Sequence, residues 1–281
     1  MNLEVFEVLR RALRDRAPTV VATVVDVAGI DASGDPDRVR PSTALGASMV
    51  LATGEAPAGS LGDPDLDAVV GRDAVGVLHS GRGALRHYGP CGEARRDDLT
   101  VFFDVFAPPP QMVVIGAVDF TAALVDVAKV LGYQVTVCDA RPVFATPRRF
   151  PRADEVVAEW PDRYIRARAD RLGPRDALCV LTHDHKFDVP ALVEALATSV
   201  GYIGAMGSRR THAERVQRLT AAGVDTASLA RIMAPIGLDI GARTPQETAV
   251  AICAEIIALR SGETTGGHLR DLAGPIHHAT A

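Results

Sequence analysis

The chain has 281 residues, of which 47% are hydrophobic and 23% charged, and it carries a formal net charge of -5. This is the composition of a folded protein with one large or two compact domains, and it excludes wholesale disorder. The acidic balance gives no electrostatic reason to expect nucleic acid or an anionic membrane surface as a partner.

The four cysteines contain no C-x-x-C pair, which gives no support to a zinc ribbon or a thioredoxin-type motif. The segment Met1–Arg16 lacks the apolar core of a secretory signal. No stretch reaches the roughly 18 apolar residues that span a bilayer. We therefore expect a cytoplasmic protein with reduced thiols.

The first part of the chain predicts a small α+β domain over residues 1–106. An amphipathic helix over Leu3–Arg14 follows from apolar residues at helical spacing. A loop over Gly29–Ser42 and a short helix over Asp65–Gly71 follow from Gly, Pro and Asp content. The predicted strands are Thr19–Val27, Gly46–Ala52, Val75–Leu78, Ala84–Tyr88 and Leu99–Phe106.

A proline-rich linker over residues 107–110 separates this domain from a second one over residues 111–260. There, short apolar strands alternate with helices, which predicts parallel strands with right-handed crossovers and a Rossmann-like domain. Residues 261–281 have the composition of a flexible tail. The predicted strands are Met112–Ile115, Val135–Cys138, Glu155–Val157, Ala177–Leu181 and Tyr202–Ile203, and the predicted helices are Phe120–Leu131, Val189–Ala197, Arg210–Ala222 and Pro245–Arg260.

The start of the second domain follows the plan of a dinucleotide site. Gly116 opens a turn directly after a strand, and Asp139 ends the next strand 23 positions later, where a carboxylate can bind ribose hydroxyls. The turn departs from G-x-G-x-x-G, however, because Val118 occupies the second glycine position. Asp119 occupies the predicted start of the helix. We expect Asp119 either to replace a phosphate there or to act as an ordinary N-cap, and we expect dinucleotide binding to be weakened.

Polar residues follow the later strands, where open parallel sheets bind ligands. Thr182, His183, Asp184 and His185 offer acid–base groups or metal ligands, or they simply support their own loop. Gly207, Ser208, Arg209 and Arg210 combine a glycine turn with a basic helix start, which suits a phosphate or a carboxylate, although Ser208 is also a plain N-cap. Asp239, in the Ala234–Gly241 loop, is either a ligand or a brace. The capping box Thr244–Glu247 predicts a helix start.

Several of these segments resemble the C-terminal domain of the XdhC/CoxI family. The matching segments are Asp139–Pro142, Leu181–His185, Tyr202–Arg210, Ala234–Gly241 and Thr244–Glu247. The resemblance implies a Rossmann domain behind a smaller N-terminal domain. It also implies an accessory role in maturing molybdenum hydroxylases such as xanthine dehydrogenase, by binding the molybdenum cofactor, supporting its sulfuration and helping to insert it. Arg141 is added to the candidate binding residues on this ground.

The chain departs from the family pattern at several positions. Asp65 stands where a Ser-Gly-Gly-Cys-Val-Glu-like segment has its cysteine, and the loop Asp31–Pro41 replaces a Ser-Ala-Pro-Arg segment. Cys91 and Gly92 keep part of a Cys-Gly-Gly motif. The family's Gly-Ala-Gly-His is replaced by Gly116–Asp119.

Three functions follow from the sequence. The first is an XdhC-like protein, an accessory factor more than a catalyst of its own, that binds a nucleotide or a molybdenum cofactor and acts on a molybdenum hydroxylase apoenzyme. The second is an NAD(P)-dependent oxidoreductase that uses His183 or His185 as the acid–base group. The third is a structural or regulatory relative that binds no cofactor and acts through protein contacts. Fold analogy adds a homodimer, and the sequence assigns no catalytic residue and no metal ligand.

Overall fold

A computed structural model describes residues 2–15, 17–27, 43–94, 96–261 and 270. The chain divides into two compact units, residues 1–108 and 109–281. The predicted loops Gly29–Ser42 and Asp31–Pro41, and nearly all of the predicted tail, lie outside the described residues.

The first unit contains a five-stranded antiparallel sheet in the order β3-β2-β1-β5-β4. Helix α2 covers one face through a core that includes Leu66, Val70 and Phe103, and α1 covers the other through Val5. The expected α+β fold is therefore confirmed for this part. Its elements are α1 (Leu3–Asp15), β1 (Thr19–Val27), β2 (Ser48–Ala52), β3 (Ala58–Ser60), α2 (Pro64–Ser80), β4 (Ala84–Tyr88) and β5 (Leu99–Phe106).

The predicted strand Val75–Leu78 is wrong, because these residues form the last turns of α2. Their valines suggested a strand, but the buried residues of α2 recur at helical spacing and include Ala74, Val77 and Leu78. Asp63 caps the helix, because its side chain accepts from the amides of Asp65 and Leu66. Tertiary burial thus overrides local strand propensity here.

The second unit contains six parallel strands in the order β11-β10-β9-β6-β7-β8, the strand order of a Rossmann fold. This confirms the predicted fold class. Its strands are β6 (Gln111–Ile115), β7 (Gln134–Cys138), β8 (Glu155–Val157), β9 (Ala177–Val180), β10 (Tyr202–Ala205) and β11 (Ile232–Met233). Its helices are α3 (Asp119–Val130), α4 (Pro161–Arg166), α5 (His185–Leu196), α6 (Arg209–Ala221), α7 (Thr226–Leu229) and α8 (Pro245–Ser261), with a 3-10 turn over Ala169–Arg171.

Helices cover both faces of this sheet, so its central strands are buried on both sides. In β6, Met112 and Val114 pack with α3 and α8, whereas Val113 and Ile115 face the core that includes Leu192 of α5. This is the continuous apolar character expected of a parallel strand. Sequence reasoning missed the short elements β3, β11, α4 and α7, which are too brief to show a periodicity.

The predicted capping box at the start of α8 is present. The amide of Glu247 donates to Thr244 Oγ1 at 3.2 Å, and the Glu247 carboxylate accepts from the Thr244 amide at 2.9 Å. In the part of the chain that the structure describes, no helix combines the length and the apolar character that crossing a bilayer requires.

The packing of α3 predicts how the second unit responds to a cavity. Leu124 is fully buried between the sheet and α8, so Leu124→Ala should lower the free energy of unfolding by about 2–5 kcal/mol. Val130, on the same helix, is exposed, and Val130→Ala should change it by less than about 0.5 kcal/mol. Denaturant unfolding of both variants provides the measurement. Equal effects of the two substitutions would contradict the described packing.

Candidate functional site

The crevice expected of this fold lies between the loops that follow β6 and β9. These two strands are neighbours, but the chain leaves them toward opposite edges of the sheet, which is the arrangement that opens a ligand crevice at the carboxyl ends. Gly116 has φ +108°, and a Cβ there would lie 2.9 Å from the backbone nitrogen of Thr182. The structure thus brings Gly116 and Thr182 together, and the contact requires glycine.

Asp139 directly follows β7, and neighbouring groups of the protein donate the hydrogen bonds that its carboxylate accepts. Oδ2 accepts from the Ala117 amide at 2.8 Å and from Arg141 Nη2 at 2.8 Å. Oδ1 accepts from the amide and from Nε of Arg141, both at 2.9 Å. Burial of the carboxylate opposes its ionisation, but these hydrogen bonds outweigh that effect and hold the pKa of Asp139 below its usual value.

This arrangement argues against the expected role of Asp139 as a ribose ligand. A carboxylate offers about four acceptor positions, and Asp139 uses all of them within the protein. Only 3% of its side chain is exposed. Asp139 also occupies the Ala117 amide, one of the groups that a phosphate would need.

The expectation that Asp119 takes the free amides of α3 is wrong. Val118 occupies the N-cap position, and 92% of the Asp119 side chain is exposed, at 3.6 Å from Arg149 Nη2. The physical reason is that Thr121 binds polar groups of the turn in place of Asp119. Its Oγ1 donates to the Gly116 carbonyl and accepts from the Val118 amide. Asp119 therefore points outward from the first helical turn, where it still repels an incoming phosphate.

The turn Gly116–Asp119 after β6, here called the phosphate turn, is flanked by arginines and aromatic rings on the side of β7. Arg149 Nη1 donates to the Ala117 carbonyl at 2.9 Å, so the backbone N–H and C=O of Ala117 are both occupied. Arg141 lies over the Phe144 ring at 4.6 Å. Sequence reasoning missed Arg149, whose role depends on a loop that folds back over the turn.

The loop after β9 holds Thr182 inward and its histidines outward. Thr182 is buried, and its Oγ1 accepts from the Asp184 amide at 3.1 Å. Asp184 caps α5 by accepting from the Lys186 amide at 3.0 Å. His183 and His185 are exposed at the edge of the crevice. Within the described ranges, no group of three His, Cys, Asp or Glu residues is arranged to hold a metal ion.

A buried ion pair lies behind these loops. Arg215 Nη2 of α6 donates to Asp188 Oδ2 of α5 at 3.1 Å and to the Met206 carbonyl at 2.8 Å. Both side chains are 3% exposed. Burial raises the pKa of Asp188 to about 6, although Arg215 opposes the shift. The sequence contains a signal for this pair. Asp188 and Arg215 each lie on a helix face whose next residues at helical spacing are apolar, namely Ala191, Leu192 and Leu219.

The loop after β10 begins α6. Ser208 Oγ caps the helix by accepting from the Thr211 amide at 3.1 Å, in agreement with the interpretation of Ser208 as an N-cap. Gly207 has φ +146°. Arg209 and Arg210 are both exposed, and Arg210 Nε lies 3.2 Å from Glu214 Oε1.

The loop that carries Asp239 is fixed at its base. The Glu255 carboxylate of α8 accepts from the Gly237 amide at 2.9 Å and from the Tyr202 hydroxyl at 2.6 Å. Asp239 itself lies exposed beyond this anchor. The structure therefore fixes the base of the loop and leaves the Asp239 carboxylate facing solvent.

In the first unit, the two segments with reduced family likeness meet. A Cβ on Gly92, which has φ +86°, would lie 2.8 Å from Val69 Cγ2 of α2. This places the exposed Cys91 beside the start of α2, where Asp65 lies in the first turn. Desolvation and then the neighbouring carboxylates of Asp63, Glu93 and Asp65 raise the pKa of the Cys91 thiol, which disfavours the thiolate.

The occupied phosphate turn predicts weak dinucleotide binding. NAD, NADP and FAD should each fail to bind with micromolar affinity, because the Ala117 amide is taken and Asp119 repels phosphate. Calorimetric titration of the full chain measures this, with a nicotinamide-dependent dehydrogenase as the positive control. A micromolar Kd for any of the three would show that the turn opens.

The buried pair predicts a pH dependence of stability. The folded-state pKa of Asp188 is about 6, above the value of about 3.9 for an unfolded aspartate, so the folded state binds more protons in this window. Relative to Asp188→Asn, the wild type should therefore gain stability as the pH falls from about 7 to about 4. Urea unfolding at several pH values provides the measurement, with the exposed Asp170→Asn as control. A difference that is constant or of opposite sign would contradict the burial argument.

Comparison with known proteins shows similarity to named relatives, to a solved structure and to a family. A protein of Bacillus subtilis described as a probable subunit of xanthine dehydrogenase is 32% identical over 160 residues, which cover 57% of this chain and 46% of that protein. A "Molybdenum cofactor insertion chaperone PaoD" of Escherichia coli is 34% identical over 84 residues, 30% of this chain and 26% of that protein. The chain thus spans less than half the length of these relatives.

A solved structure shares the fold of the chain. The crystal structure of a protein described as a xanthine dehydrogenase from Bacillus halodurans has a TM-score of 0.50 and 18% identity, covering 95% of this chain and 98% of that one. Finally, the sequence pattern of the XdhC Rossmann domain matches residues 112–256. This stretch contains the crevice loops described above and more than half of the chain, which therefore belongs to the XdhC family.

Proposed function

We propose that this protein is an accessory factor that binds a molybdenum cofactor and assists the maturation of a molybdenum hydroxylase of the xanthine dehydrogenase type. The observation that carries the proposal is the XdhC Rossmann domain over residues 112–256, together with relatives whose names refer to xanthine dehydrogenase and to molybdenum cofactor insertion. The apoenzyme as partner and a homodimeric state belong to the same proposal.

The distribution of available polar groups supports a ligand at the later loops. Around the phosphate turn, the Asp139 carboxylate and the backbone N–H and C=O of Ala117 are occupied by internal hydrogen bonds. In contrast, His183 and His185 after β9 and Arg209 after β10 are exposed at the carboxyl edge. Arg141, 43% exposed and stacked on Phe144, adds a cation on the opposite side. We place the cofactor in the crevice between these groups.

The strand order keeps an NAD(P)-dependent oxidoreductase as the second candidate, because the same sheet serves many dinucleotide enzymes. His183 or His185 would be its acid–base group. The saturated Asp139 carboxylate weighs against it, since no acceptor remains for a ribose hydroxyl.

Co-purification tests the first proposal. The full chain, isolated from cells that make the molybdenum cofactor, should release a fluorescent pterin on heating and contain bound molybdenum. His183→Ala should lower the pterin content several-fold, because it removes a polar group from the crevice, whereas the exposed His79→Ala on α2 should leave it unchanged. Absence of pterin, molybdenum and nucleotide from the wild type would contradict the proposal and favour a regulatory protein that binds no cofactor.

A further inference from the structure

Three aromatic rings and two cations lie together at the carboxyl edge of the Rossmann sheet. Trp160 follows β8 at the start of α4, Phe187 lies in the first turn of α5, and Phe144 lies in the segment after β7. The Trp160 and Phe187 ring centroids are 5.3 Å apart, at an interplanar angle of 59°. These three rings, with Arg141 and Lys186, are called the ring platform below.

Arg141 supplies a flat surface whose orientation is fixed. Its Nε and Nη2 each donate to one oxygen of the Asp139 carboxylate, which holds the plane of the guanidinium. Its Cζ lies 4.6 Å from the Phe144 ring centroid and 6.0 Å from the Phe187 ring centroid. The Arg141 side chain is nevertheless 43% exposed. Because guanidinium planes and aromatic rings both stack on flat molecules, this surface is preorganised for stacking.

Arg141 and Trp160 adjoin the same ring, Phe187, and are close enough to hold one flat molecule between them. Their separation is no more than the sum of their distances from the Phe187 centroid, about 11 Å. A flat ring between two planar groups needs roughly 7 Å, which is twice the usual carbon–carbon contact distance of about 3.5 Å. Phe187 is 9% exposed, whereas Trp160 is 38% exposed and Phe144 is 40% exposed. The outer rings are therefore the ones that a ligand can reach.

The charges of the ring platform favour a neutral ring over a free anion. Asp139 balances Arg141, and Asp184 lies at the start of the helix that carries Lys186, where it accepts from the Lys186 amide at 3.0 Å. Lys186 Nζ lies 5.4 Å from the Trp160 ring centroid. Among the residues that the structure describes, Nη1 of Arg141 has no acceptor, because its Nε and Nη2 make the bonds to Asp139. This nitrogen and the ammonium of Lys186 are donors for a ring carbonyl or a ring nitrogen.

We propose that the ring platform binds a fused-ring nitrogen heterocycle, stacked between Trp160 and Arg141. Such a molecule is flat and nearly neutral, and it carries acceptor atoms along its edge. It therefore matches a site made of aromatic surface and a few fixed donors. The assignment of this heterocycle to the pterin of the molybdenum cofactor rests on the proposed function. The stacking site itself does not.

Trp160 is the only tryptophan in the sequence, so it can report on its own contacts. The full chain labelled with fluorotryptophan has a single labelled position, and its fluorine resonance should shift saturably when neopterin is added. Glycerol carries the triol of the neopterin side chain without a ring and should leave the resonance in place. A saturable shift with adenosine and none with neopterin would support the stacking site but overturn its assignment to a pterin.

Two exposed phenylalanines provide a matched pair of variants. Phe144→Leu should weaken neopterin binding by about two- to tenfold, because the ring next to the Arg141 plane is lost while much of the apolar volume is kept. Phe102→Leu, at a 37% exposed position of β5 in the first unit, should leave the binding unchanged. Absence of a saturable shift with both neopterin and adenosine, or equal losses in the two variants, would overturn the inference.

The co-purification experiment separates this inference from the proposed function. Trp160→Leu should lower the pterin content several-fold relative to the wild type, whereas Phe102→Leu should not. Pterin retained in full by Trp160→Leu would overturn the ring platform as the pterin site and leave the proposed function standing. A wild type that shifts with neopterin but carries no pterin from the cell would overturn the proposed function alone. If Trp160→Leu fails to fold, the neopterin titration of the wild type and of Phe144→Leu still decides.

Discussion

The carboxylate of Asp139 accepts four hydrogen bonds and thereby joins the end of β7 to the turn after β6 and to the segment that begins at Arg141. Each bond is formed by an ionised acceptor in a site with little access to water, where such bonds are strong. The turn that would receive a pyrophosphate in a dinucleotide enzyme is consequently held by the protein itself. The positions of Arg149 and of the aromatic ring at Phe144 depend on the same closed arrangement.

Because this turn is closed, the exposed polar side chains of the carboxyl edge of the sheet lie in the loops after β9 and β10. The Rossmann plan normally concentrates recognition at the first helix, where amides and a helix dipole meet a phosphate. In this chain, the first helix of the Rossmann unit, α3, starts beside the carboxylates of Asp119 and Asp139. The helix after β10, α6, starts beside arginines. The fold is retained while the electrostatic potential along its carboxyl edge is redistributed.

The sequence predicted the parallel sheet and most of its strands, because buried parallel strands are short continuous apolar runs between helices of clear periodicity. The Asp119 prediction failed because the hydroxyl of Thr121, and not the Asp119 carboxylate, binds the polar groups of the turn. The saturation of Asp139 and the pairing of Asp188 with Arg215 depend on which helices face each other and on the conformations of long side chains. Neither the pairing of the helices nor the conformation of a long side chain can be read from the sequence pattern. The Val75–Leu78 error has the same origin, since the partner surface of α2 decides its conformation.

The closed turn also constrains how a nucleotide site could be regained. Replacing Val118 by glycine would remove steric hindrance, but the Ala117 amide would remain bound to Asp139. Replacing Asp139 alone would free that amide, but it would leave Val118 in place and the guanidinium of Arg141 without its partner carboxylate. Each change is therefore neutral or harmful without the other, so the two positions are epistatic. A nucleotide site at this turn would therefore need both substitutions in the same chain.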